Sequence, residues 1–446
     1  MTDAVARAAR FNRECDCVSA DVPALQRRLD AKLDSAGLAR SIEHSHPHLF
    51  SPTPVFVARP HAQAMQRLIS AVEAVVALPA YREEALAHAP AIARSAQRTR
   101  SVFFGFDFHI AAGPPQLIEI NTNAGGALLN IEMRQAHQAC CEPAADWLHA
   151  TTSAQSLEAA VYGMFMREWT LARGTQALRT VAIVDDAPRE QYLFPEFLLT
   201  RNMFAAHGLN ALIVDAGELT IDGNALTVQG QAIDLVYNRS TDFYFADARH
   251  AALAEAYARD LAVITPHPHA HALYSNKRNL VTLSDERSLR AMRAAPADIE
   301  TLLASIPQTR LVTGSEDTWW ADRKQWFFKP ASGFGSRGTY RGDKITRRAF
   351  GDVMRGDYIA QTFAPPGERL RRDSPGMFKL DVRSYAYEGV QQLLAARLYH
   401  GQTTNFRSTG GGFAPVYLLD ESVSPEASGP ANVAPGLSAQ AETGCQ

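Results

Sequence analysis

Residues 101–123 read SVFFGFDFHIAAGPPQLIEINTN, and the way these side chains alternate decides how the rest of the chain is understood. Apolar and polar residues take turns on both sides of a Gly-Pro-Pro turn at 113–115, the pattern of two strands joined as a β-hairpin. Residues two apart on a strand share a face, so Glu119 and Asn121 project together while Ile118 and Ile120 face the other way. With the turn centred on Gly113, Asp107 falls opposite Glu119, which puts two carboxylates about 5 Å apart. Such a pair repels unless a positive charge compensates. Two hard carboxylates and an amide oxygen, completed by water and phosphate oxygens, suit magnesium and, without histidine or thiolate, suit zinc poorly. The expectation is a magnesium site at Asp107, Glu119 and Asn121. An ordinary exposed strand face would favour Lys and Thr over this set.

Further along, residues 326–342 read WFFKPASGFGSRGTYRG, where Gly333, Gly335 and Gly338 satisfy the spacing GxGxxG. A dinucleotide-binding reading requires those glycines to open a helix, but the loop runs into TYRGD, a short strand and turn. A protein kinase would place its lysine after the glycines and carry HRD and DFG downstream; here Lys329 precedes the loop and those sequences are absent. What remains is a flexible loop between two strands that can fold over a triphosphate, its N–H groups and Lys329 meeting the phosphates. Lys277, in SNKRNL at the start of a helical stretch, is a second phosphate-directed lysine. Near the C-terminal end, KLDVRSYAYEG and AARLYHGQTTNFRSTGGGFAPV carry Arg383, Arg397 and Arg407 beside three glycines at 410–412. Arginine forks recognise carboxylate and phosphate oxygens in pairs.

The surroundings fit an enzyme acting on small molecules. At 446 residues the chain exceeds one compact core. A net charge of -3 gives no broad basic face for nucleic acid. No apolar run approaches the roughly 20 residues of a membrane span. The first residues lack the features of a secretory signal, so a cytoplasmic location with reduced thiols is expected. Cysteines 15, 17, 140, 141 and 445 show no CxxC spacing and are expected to be passive, with neither a disulfide framework nor a zinc site. HPHAH (267–271) reads as a loop without a fixed ligand face, and no Ser-His-Asp or Cys-His set stands out. Residues 1–100 are Ala-rich with helical periodicity, as in HAQAMQRLISAVEAVVALPAY (61–81). A helix through residue 138 follows the hairpin. From TVAIVDD (180–186) strands alternate with helices, a small α/β unit with a mainly parallel sheet. Residues 421–446 are rich in Ser, Pro, Gly and Ala and read as a disordered tail.

In combination these segments resemble the ATP-grasp superfamily. FFKPASGFGSRG is similar to its phosphate-covering loop, YIAQTF to its adenine hinge, and the DFHI to LIEINTN hairpin to its magnesium strands, while DVRSYAYEG through NFRSTGGGFAPV is similar to the substrate side of the glutathione synthetase branch. In the usual order the metal hairpin follows the glycine loop; here it comes first, which implies a circularly permuted ATP-grasp fold of α/β (α+β) class. Glutathionylspermidine synthetases and related ligases have a similar order and a lysine in a sequence like SNKRNL. The likeness covers roughly residues 100–420. It implies a helical region at 1–100, an ATP-grasp hairpin and helix at 101–150, a Rossmann-like pre-ATP-grasp unit at 175–265 and the main ATP-grasp unit at 266–420.

The same resemblance implies site roles: ATP held by Lys277, Lys329, the loop residues Ser332, Gly333, Gly335, Ser336 and Gly338, and the hinge at Gln361 and Thr362; magnesium on Asp107, Glu119 and Asn121; and transferred charge stabilised by Arg383, Arg397 or Arg407. The implied reaction is an ATP-dependent carboxylate-amine ligation through an acyl phosphate, with small-molecule acid and amine as partners. A small-molecule kinase or a non-turning-over ATP-binding protein would use the same groups. The chain departs from that group at Gly105, where the group has an arginine two residues before the metal aspartate, and at AGG (124–126), where it has TPT. Those departures leave the acid and the amine open.

Overall fold

The alternation at 104–109 is realised as a strand whose three phenylalanines, Phe104, Phe106 and Phe108, are almost completely buried. A computed structural model describes residues 3–15, 20–33, 42–111, 113–136, 154–333, 338–371 and 376–420. Helices α1 (Asp3–Glu14) and α2 (Val22–Leu33) lead to strand β1 (Val55–Ala58), helices α3 (Arg59–Val76) and α4 (Pro79–Ala87), and the hairpin β2 (Phe104–His109) and β3 (Gln116–Asn121). Helices α5 (Ala127–Gln135) and α6 (Ala154–Arg173) precede β4 (Thr180–Asp185), α7 (Phe194–Ala206) and β5 (Asn210–Asp215). A small sheet of β6 (Thr220–Asp222), β7 (Ala225–Val228) and β8 (Gln231–Ala232) follows, then β9 (Leu235–Asn238), α8 (Ala251–Ala258) and β10 (Val263–Thr265). The remainder holds α9 (Pro296–Ser305), β11 (Thr309–Leu311), β12 (Trp326–Pro330), β13 (Tyr340–Arg341), α10 (Arg347–Arg355) and β14 (Tyr358–Thr362). It ends in β15 (Gly367–Arg369), β16 (Phe378–Tyr387), β17 (Val390–Tyr399), β18 (Gly412–Ala414) and β19 (Val416–Leu419). Pro60, Pro79, Pro195 and Pro296 lie in the first turns of α3, α4, α7 and α9, where the missing N–H has no intrahelical partner to lose.

Three sheets matter for the site. The largest runs β18-β17-β16-β2-β3 with β15 beside β16, so the early hairpin extends a sheet made by strands from the far end of the chain. Its register sets Arg383 against Asp107 and Asp107 against Glu119. The apolar face packs Phe104, Phe106 and Phe108 with Leu380, Val382, Ala396 and Leu398, each buried phenylalanine contributing about 2 kcal/mol. The opposite face carries Asp107, Glu119, Asp381, Arg383 and Arg397. A second sheet, β11-β14-β12-β13, stands across from that polar face, and both sheets contribute to the cleft between them. The third, β10-β9-β4-β5, is wholly parallel; Val181 and Ile183 enter one core and Ala182 and Val184 another, which is why this strand reads as an unbroken apolar run.

Several expectations change. The mainly helical region 1–100 also contributes β1, which pairs in parallel with β19; its four apolar residues are too few for periodicity to separate strand from helix. HPHAH is helical rather than a loop: His267 caps a short helix at Pro268–Ala270 that runs into a π-helical turn from His271 to Ser275, and all three histidines are buried. Burial holds His267 and His271 down to about 3 and lowers His269, so the cluster stays neutral. Cys15 is disulfide-bonded, which corrects the expectation of passive free thiols; bridging depends on Cα separation and direction, which motif spacing does not reveal. The helix after the hairpin ends at Gln135 rather than 138. The tail at 421–446 lies outside the described residues. Among those residues, no helix is long and apolar enough to cross a membrane.

The TNAGG segment fixes the hairpin to its neighbours. Gly126, at φ +99°, opens α5, and Glu196 on α7 accepts from Gly126 N–H (2.7 Å) and Leu128 N–H (3.1 Å), capping the helix start with a carboxylate. A Cβ on Gly126 would come within 2.1 Å of the Phe413 ring. Gly126→Ala is therefore expected to destabilise by at least about 3 kcal/mol in urea unfolding. Gly113→Ala, whose added Cβ meets nothing within 4 Å, should stay within about 0.5 kcal/mol of the parent.

Candidate active site

The polar sheet face and the β11-β14-β12-β13 sheet enclose a cleft of about 250 Å³. Period-2 alternation aims the groups into it: Asp107 and His109 from β2, Glu119 and Asn121 from β3, Phe327 and Lys329 from β12, Gln361 from β14, Asp381 and Arg383 from β16, and Arg397 and Tyr399 from β17. Lys277, Gly333, Thr403, Thr404 and Phe406 join them from loops, and Thr362, Arg341 and Lys379 from the ends of β14, β13 and β16.

The expected carboxylate pair is present, and protein cations compensate it. Asp107 accepts from Arg383 Nε (2.6 Å) and Nη2 (2.7 Å) and from Arg397 Nη2 (2.9 Å). Burial alone would raise its pKa, but the two guanidinium groups outweigh it and hold the carboxyl down to about 2. Burial likewise pushes Glu119 up, and Lys277, whose Nζ lies 3.7 Å from Glu119 Oε2, brings it below its ordinary value. Asn121 Nδ2 lies 3.1 Å from Asp107 Oδ2 and 3.3 Å from Glu119 Oε1, so the three side chains converge on one point. Among the described residues no group of three or more His, Cys, Asp or Glu could hold a metal. A cation here would rest on the two carboxylates, the Asn121 amide turned oxygen-first, and oxygens from water and ligand.

Lys329 is buried, and its Nζ donates to Ile118 O (2.8 Å) and Gln361 Oε1 (2.7 Å). Burial, with Lys277 nearby, drives its pKa down to about 8 against the pull of Glu119 and Asp107. Lys277 Nζ also donates to Gly333 O (3.2 Å), so it bridges the glycine loop and the carboxylate hairpin. Gly333 and Gly338 take positive φ. Ser332 is exposed and outside the cleft lining; Gly338 is half-buried and also outside it, and a Cβ added there would lie 2.9 Å from the Tyr358 hydroxyl. Gly335 and Ser336 lie outside the described residues. At the hinge, Thr362 and Phe363 N–H donate to Gln308 O and Gln325 O, while no described residue accepts from Ala364 N–H.

Arg383 and Arg397 sit in the cleft; Arg407 does not. The Asn405 side chain accepts from Arg407 N–H (3.0 Å), turning the loop so that Arg407 is exposed. Asp381, Thr404 and His109 are among the cleft residues that escaped the sequence reading. Asp381 is buried and grips Arg397. Thr404 donates to Asp381 Oδ2. His109 donates through Nδ1 to Ala364 O (2.7 Å), is kept neutral by burial, and leaves Nε2 as an acceptor. The i, i+2 spacings Asp107/His109 and Asp381/Arg383 were the available signal. Gly105 also finds its reason: a Cβ there would lie 2.5 Å from Ala124 Cβ and 3.1 Å from Arg383 Nε, so Arg383, reaching over from β16, occupies the space beside it.

With this geometry in hand, comparison with known proteins is informative at the level of fold. No protein-family model matches the chain, and no curated protein matches it. Among solved structures, a glutathione synthetase-like effector from Globodera pallida in apo form aligns over 90% of this chain and 100% of its own, with TM-score 0.57 and 12% identity. A putative gamma-glutamylcysteine synthetase from Methylobacillus flagellatus covers 77% of this chain and 83% of its own at TM-score 0.45 and 11% identity. The ATP-grasp ligase PsnB, complexed with minimal precursor, Mg and ADP, covers 57% and 93% at TM-score 0.27 and 12% identity. The last two superpose too loosely to carry weight. The chain shares the α/β fold of the glutathione synthetase-like effector.

The charge row can be tested by titration. Asp107 has a folded pKa depressed from 3.8 to about 2, so the stability it confers is full above 3.8 and is lost as pH falls towards about 2. Asp107→Asn leaves two buried guanidinium groups short of a counter-charge and should cost about 3–5 kcal/mol at pH 7. In urea unfolding, the gap between parent and variant should narrow as pH drops from 4 to 2.

Proposed function

We propose that the chain is an ATP-dependent carboxylate-amine ligase working through an acyl phosphate in a circularly permuted ATP-grasp site. The observation that supports it most is the cleft itself. Two carboxylates and an amide converge on one side, and Lys277, Lys329, Arg383 and Arg397 close around them, with Gly333 in the cleft wall. Permutation accounts for the pairing of β2 with β16, the hairpin at 101–150 joining the unit at 266–420 while 175–265 forms the pre-ATP-grasp unit.

On this reading Lys277 and Lys329 take the α- and β-phosphates, and Arg383 and Arg397 meet the γ-phosphoryl group. The Thr362 carbonyl and the Ala364 N–H serve the adenine edge. Asp107, Glu119 and, with its amide turned oxygen-first, Asn121 would hold a magnesium ion, whose charge would offset that of the phosphates. The carboxylate of the acid substrate attacks the γ-phosphorus, the bond to the β-phosphate oxygen breaks, and ADP leaves. The amine then adds to the acyl carbon of the acyl phosphate, loses a proton, and inorganic phosphate departs as the amide forms. The arginines stabilise the charge that develops on the transferred group, and the cleft walls exclude water from the acyl phosphate.

The first test is ADP release from purified protein with Mg-ATP and pools of amino acids, short peptides and polyamines. ADP and phosphate are expected in equal amounts only when an acid and an amine are both present, with at least about a hundredfold loss in Glu119→Ala. A stable phosphorylated product in place of free phosphate would replace ligation by phosphotransfer to a hydroxyl. Mg-ATP that binds without turnover in any pool would leave a nucleotide-binding protein.

A pH dependence follows from Lys329. Its charged form binds phosphate, and its free-state pKa is about 8, so binding above that pH must first take up a proton. Mg-ATP affinity measured by calorimetry should be level below pH 7 and fall by up to about tenfold per pH unit above 8. Lys329→Met should be weaker throughout and lack that fall.

A further inference from the structure

Asp381 was not among the expected site residues, yet it lies at the centre of the charge row. It is 3% exposed and stands on β16 directly across from Arg397 on β17. Its Oδ1 accepts from Arg397 Nε (2.8 Å) and its Oδ2 from Arg397 Nη2 (3.0 Å), a two-point grip on one edge of the guanidinium. The same Nη2 reaches Asp107, and among the described residues Nη1 has no partner. Without Asp381, Arg383 and Arg397 would share the single carboxylate of Asp107, and Arg397 would be free to turn its whole fork onto it. With Asp381 the row holds two carboxylates and two guanidinium groups, and the Nη1 edge is left to the cleft. Asp381 Oδ2 also accepts from Thr404, which belongs to the 400–411 loop that forms one cleft wall through Gln402, Thr403, Thr404 and Phe406. That bond is the loop's direct side-chain link to the row.

We propose that Asp381 is a positioning residue: it orients Arg397 towards the terminal phosphate of the nucleotide and, through Thr404, ties the 400–411 wall to that orientation, so that wall and arginine are set together. This rests on reading the cleft as an ATP site. Arg397 then favours triphosphate over diphosphate only while Asp381 holds it.

The test is calorimetric binding of Mg-ATP and of Mg-ADP, without acid or amine, to the full chain and to Asp381→Asn, Arg397→Gln, the double variant and Thr404→Val. Asp381→Asn should reduce the preference for ATP over ADP by about tenfold while ADP affinity stays within about twofold, a split that general damage to the fold would not produce. The double variant should be no worse than Arg397→Gln alone, because Asp381 acts through that arginine. Thr404→Val, which leaves both charges in place, should reduce the preference by about threefold and speed amide exchange across 400–411. An undiminished preference in Asp381→Asn, or losses that multiply in the double variant, would overturn the proposal and leave the ATP reading intact. A parent protein that does not bind Mg-ATP would instead sink the ATP reading, and this inference with it.

Discussion

Arg383 and Asp107 are 276 residues apart in sequence and meet through two hydrogen bonds in a buried sheet. The rest of the site depends on that pair. It places the hairpin β2-β3 beside β16, and thereby brings Glu119 and Asn121 to the same cleft as Lys329 and Gln361. Neither partner can be removed alone without leaving a buried charge uncompensated. Arg397 and Asp381 extend the pair into a row in which each guanidinium touches a carboxylate and charge is balanced before any ligand arrives. A site built this way presents guanidinium groups to the cleft without holding them in mutual repulsion.

The row exists because the sheet is two-sided. Phenylalanines at 104, 106 and 108 hold one face in the core, and their strand neighbours are left to the other, with Gly105 leaving room for Arg383. The hairpin's contribution was legible in the sequence because alternation over six residues fixes a face, and a short turn fixes which residue opposes which. The opposition of Asp107 and Glu119 followed from counting about the turn, but a bulge beside Asp107 sets Phe108 against Leu117 and turns Ile118 to the cleft, where alternation had placed it with Ile120 in the core. The same holds for the parallel sheet at 180–265, where strand, helix and strand follow in order.

What stayed hidden is what depends on distant pairing. Asp381 looks like any strand aspartate until Arg397 is set across from it, and that register is fixed by β17, not by the residues next to Asp381. The compensating charge for Asp107 and Glu119 was assigned to a metal because local reading sees no cation near the hairpin, whereas the arginines and Lys277 arrive from elsewhere in the chain. Arg407 looked equivalent to Arg383 and Arg397 until the turn at Asn405 carried it out of the cleft. β1 was missed because four apolar residues carry no period, and HPHAH because its histidines are packed against segments far away in sequence. The magnesium and nucleotide roles rest on chemistry of the donor set and on resemblance, and their trial is experimental.

The distance between Asp107 and Arg383 also bears on how the molecule comes into being. During synthesis at about 5–20 residues per second, the hairpin emerges some tens of seconds before the strand that will neutralise it. For that interval Asp107 and Glu119 have neither Arg383 nor Arg397, and the phenylalanine face has no β16 or β17 to cover it. Closing so long a loop carries only a modest extra entropy, since the penalty grows logarithmically with length, but it is slow, because the contacts that reward it are all non-local. The nascent chain thus carries an acidic, apolar-backed hairpin in waiting. The segment from residue 378 onward, made well after the hairpin, is the part whose arrival converts that hairpin into half of a site.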